Sequence, residues 1–124
     1  MPRPLPLVFA CSGCSSAGQL ANDLALELDR RGVAEMCCLA GVGAAKSLFL
    51  HKLPGREVWL IDGCPIECGL GVFSRVSQHV DVHIRLHDLG LRKNDPPPTG
   101  DDFARLTDAV LNYVSQRRAS PASC

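Results

Sequence analysis

The sequence predicts a single open α/β domain: a four-stranded parallel sheet in the order 2-1-3-4 with helices on both faces. Three observations predict it. Short β-rich apolar runs alternate four times with stretches of helical periodicity, which implies a parallel sheet joined by right-handed crossovers. The chain has 124 residues, 46% of them apolar, enough for one core and too few for two ordinary domains. No internal repeat of the solenoid kind competes with that reading.

The elements follow in order. Leu5 to Ala10 (LPLVFA) is the first strand. From Ser16 to about Arg31, Leu20, Leu24 and Leu28 recur at helical spacing beside Ala17, Ala21 and Ala25, and Gly32 supplies the helix stop. Glu35 to Ala40 (EMCCLA) is the second strand, followed by GVG at 41 to 43 and a helix to about Lys52, stopped by Pro54 and Gly55. Glu57 to Asp62 (EVWLID) is the clearest strand. A third helix is expected to start near Pro65, where a missing N–H costs nothing, and to run toward His79 with Ile66, Leu70, Phe73 and Val76 inward. Asp81 to Leu86 (DVHIRL) is the fourth strand. After the loop NDPPPTG, Thr99 and Asp102 form a capping box for a last helix whose buried stripe is Phe103, Leu106, Val110 and Val114. The domain spans 1–117, and 118–124 reads as a frayed tail carrying Cys124.

Such doubly wound, Rossmann/flavodoxin-like sheets bind ligands at the carboxyl ends of the strands, where the strand order reverses. Here the reversal lies between the first and third strands. The segments leaving those strands are CSGC, residues 11 to 14, and GCPIEC, residues 63 to 68. Two cysteine pairs far apart in sequence therefore face one crevice.

Cys11 and Cys14 have the C-x-x-C spacing that lets two thiolates share a metal. Cys64 and Cys68, four apart, would lie on one face of a first helical turn. Both pairs precede a helix N-terminus, where the dipole and free N–H groups favour thiolate. Four sulfurs suit zinc, and equally an iron–sulfur cluster. A cysteine is also an ordinary small core residue, so the weight rests on two pairs at two strand ends. Of the adjacent Cys37 and Cys38, one points into the core, and Cys38 is near enough to the carboxyl edge to join the site. His87 and Asp88 follow the fourth strand on the same edge; His87 is a candidate proton donor or extra ligand. His51, His79 and His83 have no spacing that pairs them with a cysteine. GVGAAK, residues 41 to 46, lacks the spacing of a P-loop or dinucleotide fingerprint, though Lys46 would face the crevice. Phosphatase logic fails, because an arginine six residues after Cys11, Cys14 or Cys64 is replaced by Ala17, Leu20 or Leu70.

Composition excludes other classes. Thirteen basic and thirteen acidic side chains cancel, so the chain has no footprint for nucleic acid or an anionic membrane. MPRPLPLVFAC is broken by Pro4 and Pro6 and is too short for a secretory leader. No stretch is long and apolar enough for a membrane span. Seven cysteines, an odd number without an export signal, fit a cytoplasmic protein with metal-binding or redox thiols better than a disulfide scaffold.

CSGCSSAGQLAND at 11 to 23, CLAGVG at 38 to 43, IDGCPIEC at 61 to 68 and HDLGLRK at 87 to 93 together resemble the DGC-domain family, named for the triplet that is Asp62, Gly63 and Cys64 here. The likeness covers about residues 5 to 117. It implies zinc, because family members are described as zinc-binding on the ground of four cysteines. Matched residue by residue, those are Cys11, Cys14, Cys64 and Cys68. It implies no reaction.

Three functions are expected to compete. The first is a zinc-binding protein with one ion on Cys11, Cys14, Cys64 and Cys68, a closed site if all four ligate and open if three do. The second is a thiol redox or sulfur-transfer enzyme using either pair as attacking and resolving thiols. The third is an iron–sulfur protein, ranked below zinc because no three cysteines lie close together in sequence. The expected partner is a metal ion, with no nucleic acid and no membrane; a protein partner or small-molecule substrate is not named by the sequence.

Overall fold

The computed structural model describes residues 4–119. Four parallel strands form the sheet: β1 Leu7–Ala10, β2 Glu35–Met36, β3 Val58–Asp62 and β4 Val82–Arg85, in the order β2-β1-β3-β4. Leu7 pairs with Glu35 on one side and Val58 on the other, and Trp59 pairs with Val82. The helices are α1 Ser16–Arg30, α2 Leu39–Gly43, α3 Ser47–Leu50, α4 Cys68–Arg75 and α5 Gly100–Ala119, with a 3-10 turn at Leu86–Leu89.

Strand alternation divides the core into two layers. Val8, Ala10, Trp59, Ile61, Val82 and Ile84 pack with α1 and α5. Leu7, Phe9, Val58 and Leu60 pack on the other face with Val42, Leu53 and Phe73, and Phe9 meets Phe73 edge-on at 5.1 Å between centroids. The stripe Ala17, Leu20, Ala21, Leu24, Ala25 and Leu28 is buried as expected. Gly32 at φ 72° ends α1 with paired bonds from Val33 N–H to the Leu28 carbonyl and from Gly32 N–H to the Asp29 carbonyl.

Four expectations are corrected. The second strand does not reach Ala40, because the ladder ends where Cys37 N–H meets the Val8 carbonyl and the Cys38 sulfur then caps α2 by accepting from Gly41 N–H at 3.3 Å. The following helix is two short ones, broken where Ala45 takes φ 56°, and Phe49 folds back onto Gly41, where a Cβ would lie 2.2 Å from its ring. The helix expected from Pro65 begins at Cys68 and ends at Arg75, leaving Ile66 68% exposed. At α5, the first turn is closed by Asp102 N–H bonding the Thr99 carbonyl, and no Thr99 hydroxyl cap occurs among the described residues. Cys124 and most of the expected tail lie outside the described residues.

Candidate thiol centre at the strand reversal

The two cysteine loops touch through their backbones. Cys11 N–H continues the sheet by donating to the Ile61 carbonyl at 3.1 Å. Its sulfur accepts from Gly63 N–H at 3.4 Å, a direct bond between CSGC and the DGC triplet. Gly63 lies against the start of α1 so closely that a Cβ would stand 2.3 Å from the Ala17 carbonyl oxygen. Gly18 presses on Gly13 in the same way, with a Cβ only 2.7 Å from its Cα. Gly63 and Gly18 thus lack the side chains that would hold these segments apart.

Each loop is also fixed from behind. Ser15 caps α1 by accepting from Gly18 N–H at 3.1 Å, and Gln19 donates to the Gly13 carbonyl at 2.8 Å. The Lys93 carbonyl accepts from the Ser16 hydroxyl at 2.7 Å and from Ala17 N–H at 3.2 Å, so the loop after β4 lies over the first cysteine loop. Behind the second loop is Asp62, 1% exposed. Its carboxylate reaches forward from β3 to accept from Gly69 N–H at 2.9 Å and Leu70 N–H at 3.2 Å, capping α4 from outside its own segment. His83 on β4 holds the same carboxylate at 2.8 Å.

All four sequence-predicted thiols line one cavity of about 100 Å³, together with Asp62 and Lys93. Cys11 and Cys64 are half-buried, Cys14 and Cys68 exposed. Burial pushes the Cys11 thiol above the usual cysteine range, against the pull of the Gly63 and Gly13 N–H groups, while neighbouring Asp62 and Cys64 push it further up. Cys64 precedes α4 rather than sharing its first turn with Cys68, so the two are brought together by the turn in which Glu67 N–H bonds the Cys64 carbonyl and Glu67 takes φ 58°. That is a correction to the helical spacing read from the sequence.

The donor set, four soft sulfurs around one small cavity, suits a tetrahedral ion. Among the described residues, however, no three His, Cys, Asp or Glu side chains stand close enough to hold a metal as they are placed. Cys38 lines a neighbouring cleft that also contains Cys11, not the four-thiol cavity. His87 lines neither; its Nδ1 is buried without a partner and its Nε2 stands 3.7 Å from Asp88. Lys46 also lines neither. Sequence reasoning does not pair Asp62 with His83. A partial signal is there, since Asp62 ends a strand otherwise made of apolar residues.

An open doubly wound sheet with a cysteine-lined crevice at its strand reversal defines the class of this protein. The chain belongs to the DGC-domain family, residues 7–110 matching the DGC domain. It is 50% identical over 116 residues, 93% of this chain and 85% of the relative, to a Pseudomonas aeruginosa protein named "Anaerobic and virulence modulator AnvM". No solved structure matches the chain. Among the described residues no helix is long and apolar enough to cross a membrane.

Proposed function

We propose that the protein binds one zinc ion through Cys11, Cys14, Cys64 and Cys68. The observation that carries the reading is that thiols from two loops about fifty residues apart in sequence line one small cavity. Cys14 and Cys68 are exposed and free to change rotamer, so they can turn toward an ion that Cys11 and Cys64 meet from the sheet side. When bound, zinc would keep the thiols ionised and tie the two loops together. The Gly63 and Gly13 N–H groups would then stabilise charge on the Cys11 sulfur. The name of the 50% identical relative, a modulator, supports a regulatory use of such a site. A cytoplasmic setting suits it, since free thiols persist in reducing compartments.

A second reading is favoured by the spread of the sulfurs, which stand outside ligating geometry: reversible thiol chemistry with no metal at all. Elemental analysis of protein purified without air or added metal separates the two. About one zinc per chain, lost in both Cys11→Ser and Cys64→Ser, is the expected result. Iron with sulfide would point to a cluster. A chain that holds no metal and takes none up would overturn the metal reading and leave the thiol reading.

A further inference from the structure

A second, larger cleft of about 750 Å³ adjoins the four-thiol cavity, and Cys11 is part of the wall of both. It exists because β2 is only two residues long and the chain leaves the sheet at Cys37. In place of a long crossover helix over the edge, two short helices fold aside and leave the carboxyl ends of β1 and β2 open. A space of this size falls within the roughly 300–1,000 Å³ range of small-molecule sites, and it opens on the carboxyl edge of the sheet, one strand away from the reversal between β1 and β3.

The lining states what such a ligand must be. Met36, Leu39, Phe49 and Val72 make it mainly apolar. Among the described residues Lys52 is the one charged side chain that lines it, and its ammonium is bound to the Glu35 carboxylate, which Arg56 contacts at 3.0 Å as well. Lys52 is thus engaged in an ion pair, and Arg56, which shares that carboxylate, lies outside the lining, so the described lining offers a phosphate or a carboxylate no unpaired cation. Besides the thiols of Cys11, Cys37 and Cys38, the polar side chains that remain in the lining are on the α1 side. Ser12, held at φ 51°, donates from its hydroxyl to Asn22 Oδ1 at 2.9 Å. That bond takes one lone pair of the Asn22 oxygen and holds the amide in place, while its two N–H groups remain hydrogen-bond donors.

We propose that this cleft binds an uncharged, mostly apolar small molecule that presents a hydrogen-bond acceptor, such as a carbonyl oxygen, to Asn22. The site is distinct from the four-thiol cavity and stands whether or not a metal sits there.

The test uses Nile red, a neutral, flat aromatic dye with a carbonyl acceptor, on the full chain. Its emission should rise and saturate at one dye per chain. Ala40→Trp, which places an indole in the cleft lining, should weaken binding at least tenfold. Asn22→Asp, which exchanges the donor amide for an acceptor, should weaken it about as much. Leu48→Ser, at an exposed apolar side chain outside the lining, should leave it unchanged. Bound dye should slow iodoacetamide labelling of Cys38 at least fivefold and leave Cys14 and Cys68 unaffected, because these line only the other cavity. The proposal is overturned by a protein that binds no dye, by a dye that Leu48→Ser rather than Ala40→Trp displaces, or by an unprotected Cys38. Undiminished binding in Asn22→Asp would overturn the assigned acceptor contact.

Discussion

Gly63 has no room for even one more carbon: an added Cβ would meet the Ala17 carbonyl oxygen at 2.3 Å and Gly18 N at 2.7 Å, both fixed backbone atoms. Gly63→Ala is therefore expected to destabilise the fold by about 1–3 kcal/mol through forced backbone shifts. Gly71, inside α4 with nothing within 4 Å of where a methyl group would stand, gives the opposite expectation. Gly71→Ala should stabilise by about 0.5–1 kcal/mol, as alanine does in an exposed helix interior. Urea unfolding of the two variants reads both, and opposite signs would show that contact, not glycine content, decides. Part of this is legible in the sequence: Gly63 lies between two motif residues, and pattern alone puts Cys11, Cys14, Cys64 and Cys68 at the strand reversal. The clash distances are not legible there, because they depend on how closely α1 approaches β3.

At the scale of elements, the start of α4 shows what sequence pattern leaves out. Pro65 is well suited to a first helical turn, and Ile66 continues an inward stripe when counted from there. The helix instead waits for Cys68, because the cap comes from Asp62, at the end of the preceding strand, and Asp62 is itself held by His83. A cap supplied through tertiary contact carries no local signature. Asp62→Ala leaves two N–H groups and the Nε2 of a largely buried imidazole unpartnered, and a loss of about 2–4 kcal/mol is expected. Site-resolved alkylation should then show Cys64 and Cys68 reacting faster relative to Cys14; equal acceleration of all three would mean global loosening instead. The sequence overextends β2 for a related reason, since Cys38 reads as β-former but acts as a cap. Beside it, Lys52 and Arg56 hold the Glu35 carboxyl below the usual carboxylate range. With its folded pKa lowered, Glu35 contributes stability that is present above the ordinary value of about 4.3 and lost as pH falls through the folded one. Glu35→Gln should flatten that part of the acid limb. The pair is partly exposed, so at neutral pH the cost should stay below about 1 kcal/mol.

The molecule as a whole has a packed core on each face of its sheet, and of the four thiols only Cys11 packs against either, at the margin of one. If zinc is bound there, removing it with a chelator is expected to leave helix content and cooperative unfolding intact. Faster hydrogen exchange should be confined to residues 11–18 and 62–70. Loss of the cooperative transition would make the metal a folding requirement. The alternation of strands and helices is legible because the two central strands, β1 and all of β3 but its final Asp62, are buried apolar runs; the large cleft is not, because it is made by what β2 lacks. The Lys93 carbonyl that closes over Ser16 and Ala17 also bears on the chain as it is being made, for it lies 77 residues downstream of Ser16. At about 5–20 residues per second, Cys11 and Cys14 leave the ribosome roughly 4–16 s before that covering loop does, and before Cys64 and Cys68 have any strand to stand on. For those seconds the first pair is a bare dithiol on an unfolded segment, open to whatever metal or oxidant the surroundings hold.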